Sequence, residues 1–299
     1  MKRLIYTILF LGSVINTHSQ MLDNSKGEAF TDNPYFNVNF IKSNKIKSLK
    51  GTFTVKKMGD ILRETELIKN YYFDYKGRLT KTLETTQAAF GFDTLITFYE
   101  YDEVNRVKAK RSSDRYGFYG TYFEYDESGK VIRKEIRRNL KKRESKNDFS
   151  LGKEFVITFE TYKYQRFDNQ IKKTAFNSYD IPFKEVIYYY DEDSVLTAEK
   201  ETIKRTSAIT KKEYFYNEKG FMDSIHVSSP KSSVKTKAYQ FEYDEYNNLN
   251  SKQYFKNGEH TTNHQLIYDS KTTLLKYILV KEVATSYITI LDIKEIEYY

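Results

Sequence analysis

Cysteine and tryptophan are absent from the 299-residue chain, which also has only three prolines and twelve glycines. Without cysteine the fold has no disulfide, no thiolate metal ligand and no cysteine nucleophile. An exported protein without disulfides fits a bacterial envelope better than a eukaryotic secretory route. So few prolines and glycines leave no recognisable linker, and we expect residues 20–299 to form a single domain.

Motifs for catalysis and metal binding are equally scarce. The sequence has no glycine-rich phosphate loop and no serine-centred elbow. His260 and His264 have the spacing of a helical metal site, but they lie in a strand and turn context, where residues four apart are roughly 13 Å from each other. We therefore predict no enzyme activity, no catalytic residue, no metal site and no cofactor, and we assign no ligand-binding residue.

The N-terminus has the features of an export signal. Lys2 and Arg3 precede an apolar run from Leu4 to Ile15, and Thr17 and Ser19 suit the small-residue positions before a cleavage site. Residues 1–19 are predicted to be a signal peptide. The apolar run is shorter than the ~20 residues of a spanning helix, so we expect no membrane span after cleavage.

A short motif, typified by Phe123–Val131, recurs eight times. An aromatic residue precedes an anchor that is usually Asp, and in seven copies Gly, Asn, Ser or Thr stands three places after the anchor and an apolar residue five places after it. Asp or Asn at the start of a turn accepts hydrogen bonds from the backbone ahead of it, and Gly or Asn three places later tolerates positive φ. The motif therefore predicts a β-hairpin. The anchors are Asp74, Asp102, Asp126, Gln165, Asp191, Asn217, Asp244 and Asp269.

The register of each hairpin follows from the same spacing. If the anchor pairs with the residue four places later, the aromatic residue before it lies opposite the apolar residue five places later, on one face of the sheet. In the fourth copy, at Gln165, the apolar residue is Ile171, one place late, which predicts an insertion or bulge. Ser194 and Thr272 are poor residues for positive φ and predict looser turns.

Successive anchors are 24 to 39 residues apart, a spacing typical of repeat architectures. The pattern Tyr-x-Tyr-Asp-x-x-Gly-x-Leu resembles the YD repeat, or RHS repeat, of bacterial surface and secreted proteins over roughly residues 71–274. The resemblance implies tandem hairpins in a curved sheet. This chain has far fewer repeats than the shell-forming members and shows no toxin-like C-terminal region, so it resembles the short exported members.

The flanks of the repeats are less regular. We expect an irregular lead-in from Gln20 to about Lys50, one or two degenerate strands between Ile46 and Asn70, and closing strands from Leu274 to Tyr299. The basic run Arg137–Arg143 has two interpretations, an anion or polysaccharide contact and a solvated loop or strand end, of which we favour the second. The predicted fold is all-β: tandem antiparallel β-hairpins that form a long, twisted or curled repeat sheet.

The net positive charge of the chain favours some classes of binding partner over others. The chain carries a formal charge of +8, and loss of Lys2 and Arg3 with the signal would leave +6. A basic exported surface favours acidic glycans, lipid headgroups or acidic proteins, and nucleic acid is a poor expectation. Tyr72, Tyr189 and Phe215 occupy the position between the two core aromatics and should face outward, where aromatic rings can stack on sugars.

Three functions are compatible with these features. The first is a non-catalytic, exported repeat scaffold that binds envelope glycan or a surface protein, in the periplasm, on the cell surface or in the medium of a Gram-negative-type bacterium. The second is an outer-membrane-associated β-barrel, against which charges on both faces of the second strands argue. The third is a polysaccharide hydrolase, which would need two carboxylates about 5–9.5 Å apart in a cleft. We favour the scaffold; the sequence leaves the ligand, the oligomeric state and the closure of the sheet open.

Overall fold

The computed structural model describes residues 20–89, 91–114, 116–142 and 150–299, without the side chain of Lys141. The predicted signal peptide, residues 1–19, and Arg143 lie outside the described residues. In this part of the chain no helix is long and apolar enough to cross a membrane. The elements are α1 (Val38–Ser43), β1 (Ile46–Lys56), β2 (Arg63–Phe73), β3 (Leu79–Ala88), β4 (Gly91–Tyr101), β5 (Val107–Asp114), β6 (Gly117–Tyr125), β7 (Val131–Lys141), β8 (Leu151–Phe167), β9 (Gln170–Phe176), β10 (Pro182–Tyr190), β11 (Leu196–Ile203), β12 (Ala208–Tyr216), β13 (Met222–Ser228), β14 (Thr236–Tyr243), β15 (Leu249–Lys256), β16 (Glu259–Tyr268), β17 (Leu275–Glu282) and β18 (Tyr287–Tyr298).

The eighteen strands form one closed antiparallel barrel. Each strand pairs with the next one along the chain, and β1 pairs with both β2 and β18. The β1–β18 register runs from Ile46 opposite Tyr298 to Lys56 opposite Ile288. The all-β, hairpin-based expectation is confirmed, but the expected long repeat sheet is wrong in one respect. The sheet closes on itself because the two degenerate terminal strands pair with each other.

The turns that carry the anchors join even-numbered to odd-numbered strands and so lie at one end of the barrel, which we call the turn end. The Asp102 carboxylate accepts hydrogen bonds from the backbone amides of Val104 and Arg106 at 3.1 and 2.8 Å, and Asn105 has φ +68°. The predicted cross-strand partners, such as Tyr101 and Val107, lie opposite each other beside a register shift. The turn role predicted for the Asp anchors is therefore confirmed.

Two copies differ from the prediction. Gln165 lies inside β8, paired with Lys172, and the turn comes at Asp168, which has φ +39°. The strand is thus longer and the expected insertion is wrong, since the β8–β9 register is unbroken. In the last copy Thr273, not Thr272, has positive φ, and Leu275 rather than Leu274 lies opposite Tyr268. That turn contains one more residue than the others.

Tyrosine hydroxyls connect neighbouring hairpins. The tyrosine before an anchor donates a hydrogen bond from its hydroxyl to the carbonyl of the residue five places after the preceding anchor. Tyr101, for example, donates to Leu79 at 2.7 Å. The same bond recurs at 2.7 to 2.9 Å in five further pairs, namely Tyr125 to Val107, Tyr164 to Val131, Tyr216 to Leu196, Tyr243 to Met222 and Tyr268 to Leu249. The spacing shared by the copies of the motif therefore determines contacts between hairpins as well as within each hairpin.

A cation next to the turn covers the tyrosine of the following hairpin. The guanidinium of Arg78 lies 4.8 Å from the ring centre of Tyr101, and that of Arg106 lies 4.5 Å from the ring centre of Tyr125. Arg106 also forms an ion pair with its own anchor, Asp102, at 2.6 Å. Anchor, cation and ring thus form a unit that spans two hairpins.

The flanking segments agree in part with expectation. The degenerate strands are β1 and β2, and the closing strands are β17 and β18. The basic run is a strand end, as favoured: Arg137 pairs with Glu135 and Glu154, and Arg138 pairs with Asp114. The lead-in is irregular between residues 20 and 37, as expected, but it is followed by the short helix α1 before residue 45. Its burial was not expected, because residues 21–41 contribute several of the most buried side chains.

Replacing Tyr216 by Phe removes one link between hairpins and leaves the carbonyl of Leu196 without this donor. We expect a loss of about 1 kcal/mol in the free energy of unfolding, the usual net contribution of a hydrogen bond. Urea denaturation followed by tyrosine fluorescence measures it. Tyr179→Phe is the control, because that side chain is 82% exposed. Equal stabilities of both variants and the wild type would contradict a structural role for the links.

Candidate functional site in the barrel interior

The face that carries the anchor aromatics lines the inside of the barrel. Tyr71, Phe73 and Tyr99 are nearly inaccessible and belong to one apolar cluster with the N-terminal segment. The residues between these aromatics, such as Glu100 and Glu124, are exposed and lie on the outside. The period-two pattern of the repeats therefore separates an interior surface from an exterior surface.

Residues 20–45 form a plug, which we define as the segment that lies inside the barrel before β1. Its apolar side chains pack against the interior aromatics, with Phe36 contacting the rings of Tyr71 and Phe73 at centroid distances of 4.9 and 5.1 Å. Met21, Leu22, Phe36, Phe40 and Ile41 are all buried. The plug thus fills the turn-end half of the interior beside β2–β4 and β13–β18.

Two glycines allow close approach between the plug and the wall. A Cβ on Gly77, in the first anchor turn, would lie 2.2 Å from the carbonyl oxygen of Val38 in α1. A Cβ on Gly27 of the plug would lie 2.3 Å from Ile225 of β13. Both residues have positive φ, at +85° and +68°, a conformation that glycine adopts more readily than residues with a Cβ.

Polar side chains of the wall hold the plug at several points. Lys252 donates to the carbonyl of Ala29 at 2.7 Å, and the hydroxyl of Tyr99 donates to the carbonyl of Asp32 at 3.1 Å. The remaining contacts are Asn24 Nδ2 to the hydroxyl of Tyr243 at 3.0 Å, the hydroxyls of Tyr35 and Tyr71 at 3.1 Å, and the ion pair of Lys110 with Asp32 at 3.2 Å. The plug is therefore fixed by directed contacts as well as by apolar packing.

Burial lowers the pKa of two basic groups beneath the plug. Burial lowers the pKa of Lys252 to about 8. Burial and the neighbouring Lys252 charge lower the pKa of His264, its cross-strand partner, to about 4. The ring of His264 stacks on Phe30 of the plug at 5.3 Å. His264 is accordingly neutral at ordinary pH.

The two histidines do not form a metal site. Thr261 is bulged between the pairs Tyr254–Thr262 and Phe255–His260. The bulge turns His260 outward, where it stacks on Phe255 at 4.7 Å, while His264 faces the plug. Among the described residues no group of three or more potential ligands could hold a metal ion. In an unbroken strand residues four apart would share one face, so it is the bulge that puts the two histidines on opposite faces.

A cavity of about 810 Å³ lies between the plug and strands β11–β15. Every second residue of β12 lines the cavity from the interior face, namely Thr210, Lys212, Tyr214 and Tyr216. Apolar residues dominate towards the turn end, and lysines and hydroxyls dominate towards the other end. This amphipathic space is the candidate ligand site of the chain.

The outer surface of the barrel is charged at mid-strand. Glu135 lies on the outer face of β7 with Arg133 and Arg137 on either side, at 2.6 and 2.5 Å. Burial alone would raise the pKa of Glu135, but the hydrogen bonds from both arginines outweigh it and lower the pKa. Similar outward pairs join Glu100 to Arg111 and Glu185 to Lys172. Ion pairs thus lie on the outward faces of β4 and β5, of β7, and of β9 and β10.

The three middle-position aromatics face outward as predicted. Phe215 is 44% exposed and contacts the tilted ring of His226 at a centroid distance of 5.0 Å, and the Lys81 ammonium lies 3.9 Å from the ring of Tyr72. Tyr189 follows the same alternation on β10. Their use in glycan binding stays a prediction.

Comparison with known proteins gives structural likeness only. No family model and no curated protein matches. A porin-like protein from Bacteroides uniformis ATCC 8492 has 8% identity and a TM-score of 0.40, over 84% of this chain and 98% of that one. A porin-like protein from Bacteroides vulgatus ATCC 8482 has 14% identity and a TM-score of 0.32, over 83% and 98%. The LolA superfamily protein NE2245 from Nitrosomonas europaea has 8% identity and a TM-score of 0.24, over 88% and 93%.

At these TM-scores the likeness carries no functional argument, and the proposals below rest on the barrel itself. None of the three names concerns YD repeats, so that resemblance stays a prediction.

Neither the plug nor the cavity is predicted by the sequence patterns. One signal was present, because Phe36, Phe40 and Ile41 are spaced as on one face of a helix and follow Asn37, a good N-cap residue. Asn37 does accept hydrogen bonds from the amides of Asn39 and Phe40. The surrounding polar residues, however, concealed how deeply this segment is buried.

The depressed pKa of His264 predicts a pH dependence of stability. Between pH 6.5 and 4 the unfolded chain binds a proton at this imidazole and the folded protein does not, so acidification destabilises the fold, by roughly 2–3 kcal/mol in all. His264→Gln should flatten the dependence between pH 6.5 and 5, measured by urea denaturation. His226→Gln, on the outer face, is the control. A wild-type dependence retained in His264→Gln would assign it to other groups.

Proposed function

We propose that the protein is an outer-membrane-associated β-barrel of a bacterial envelope that lies against the membrane rather than across it. The closure of β1 on β18 is the observation that carries this proposal. A closed barrel has no free sheet edge and encloses a space separated from solvent, which an open scaffold sheet would lack. The closure therefore favours this function over the repeat scaffold that the sequence first suggested.

The outer surface decides how the barrel meets the membrane. A spanning barrel needs a continuous apolar band about 25 Å tall, and a Lys or Arg at the bilayer midplane costs about 2–4 kcal/mol. The Arg133–Glu135–Arg137 group, the Glu100–Arg111 pair and the Lys172–Glu185 pair lie on outward faces of different strands. Several such groups around one barrel make insertion unfavourable.

The charge of the protein supports peripheral attachment. A formal charge of +8, or +6 after removal of residues 1–19, attracts the anionic headgroups of an envelope membrane. Electrostatic attachment of this kind weakens as salt screens the charges. The export that this location requires follows from the predicted signal peptide.

Cell fractionation tests this function. With the full chain expressed in a Gram-negative host, we expect the protein to pellet with the outer membrane and to be released by high salt or carbonate, without detergent. Recovery in the soluble periplasm or medium at low salt would overturn the association. Release by detergent alone would show that the barrel spans the membrane.

A variant lacking residues 287–299 is compared with the full chain, because this deletion removes β18 and opens the sheet. We expect it to lose both membrane association and resistance to added protease. Unchanged association of this variant would show that closure is not required for it.

A further inference from the structure

The cavity beside the plug has one long dimension. Thr210, Lys212, Tyr214 and Tyr216 are alternate residues of β12, so they line a stripe of six residue steps, or roughly 20 Å at ~3.3 Å per residue. The wall on the other side is the plug, at Ser25–Glu28 and Thr31. The space therefore suits a long, narrow ligand better than a compact one.

The turn-end half of the cavity is apolar. Leu196, Met222 and Ile225 line this half together with Tyr216, and the backbone of Gly27 closes the space from the plug. The hydroxyl of Tyr216 points away into its bond with the carbonyl of Leu196, at 2.9 Å. This half offers carbon surface and few free polar atoms, as an alkyl chain requires.

The other half is polar and positively charged. Thr210 and Ser229 share a hydrogen bond at 2.9 Å, and Lys212 pairs with Glu199 at 3.2 Å. Lys237 also lines this half and has no ion pair within the described ranges of the chain. Over the whole lining, four lysines face two glutamates, so an anion at this end meets uncompensated positive charge.

We propose that the cavity binds an anionic single-chain amphiphile of the fatty-acid type. The carboxylate lies at Lys237 and Lys212, and the chain runs along β12 and β13 to Tyr216 and Leu196. The site requires the closed barrel and its plug and does not require membrane association. A neutral hydrocarbon would leave the lysine end unmatched, and a small polar anion would leave the apolar half unfilled.

Fluorescence titration of the purified protein with cis-parinaric acid tests the site. We expect saturable binding that palmitate displaces, and weaker binding of the methyl ester, which lacks the charge. Lys237→Ala should weaken binding of the acid by roughly two- to fivefold, the range for one solvent-accessible charge pair, and leave binding of the ester unchanged. Lys200→Ala, on the outer face of β11, is the matched control and should change neither.

A substitution that blocks the cavity distinguishes binding inside it from binding on the outer surface. Val227→Trp places an indole in the middle of the space and should abolish binding, with the fold checked by circular dichroism. If that variant does not fold, Thr210→Phe at the polar end serves instead. Absence of saturable binding to the folded wild type, equal affinity for acid and ester, or unchanged binding in the blocked variant would each overturn the proposal. Because purified protein is used, these outcomes are independent of where the protein resides in the cell.

Discussion

The backbone hydrogen bonds between β1 and β18 are the constraint on which the rest of the structure depends. They join residues about 250 positions apart, such as Ile46 and Tyr298, and convert a chain of hairpins into a ring. Without them the sheet would have two exposed edges, which promote pairing with other chains. Closure also separates the inside of the barrel from the outside. The repeat aromatics, the plug and the cavity lie in an interior only because the sheet is closed.

Contacts between neighbouring hairpins make the ring regular. Each of these tyrosine hydroxyls donates a hydrogen bond to the preceding hairpin. After the first two anchor turns, Arg78 and Arg106 lie over the tyrosine ring of the following hairpin. A link of the same kind ends the series, because the hydroxyl of Tyr299 donates to the carbonyl of Phe73 at 2.6 Å. The turn end is therefore tied together by side chains as well as by the strands, and this is the end at which the plug is held.

Local features were predictable because local residues determine them. The Asp102 turn, its positive-φ Asn105 and the pairing of Tyr101 with Val107 all follow from spacings within nine residues of sequence. Closure was not predictable in this way, since nothing in β1 or β18 alone specifies a partner so distant along the chain. The burial of the plug depends in turn on closure, and the opposite faces of His260 and His264 depend on a bulge at Thr261 that no turn residue signals.

The position of the plug in the chain has a consequence for assembly. The plug ends at residue 45 and β1 begins at Ile46, one of the two strands that complete the ring. Because the plug directly precedes β1 in the chain, it lies beside the forming barrel when β18 pairs with β1. Because pairing between such distant strands is the slowest kind of contact to form, the apolar plug and the repeat aromatics can collapse together first. If the plug collapses first, we expect the barrel to close around it, so that the closed barrel does not have to admit the segment from outside.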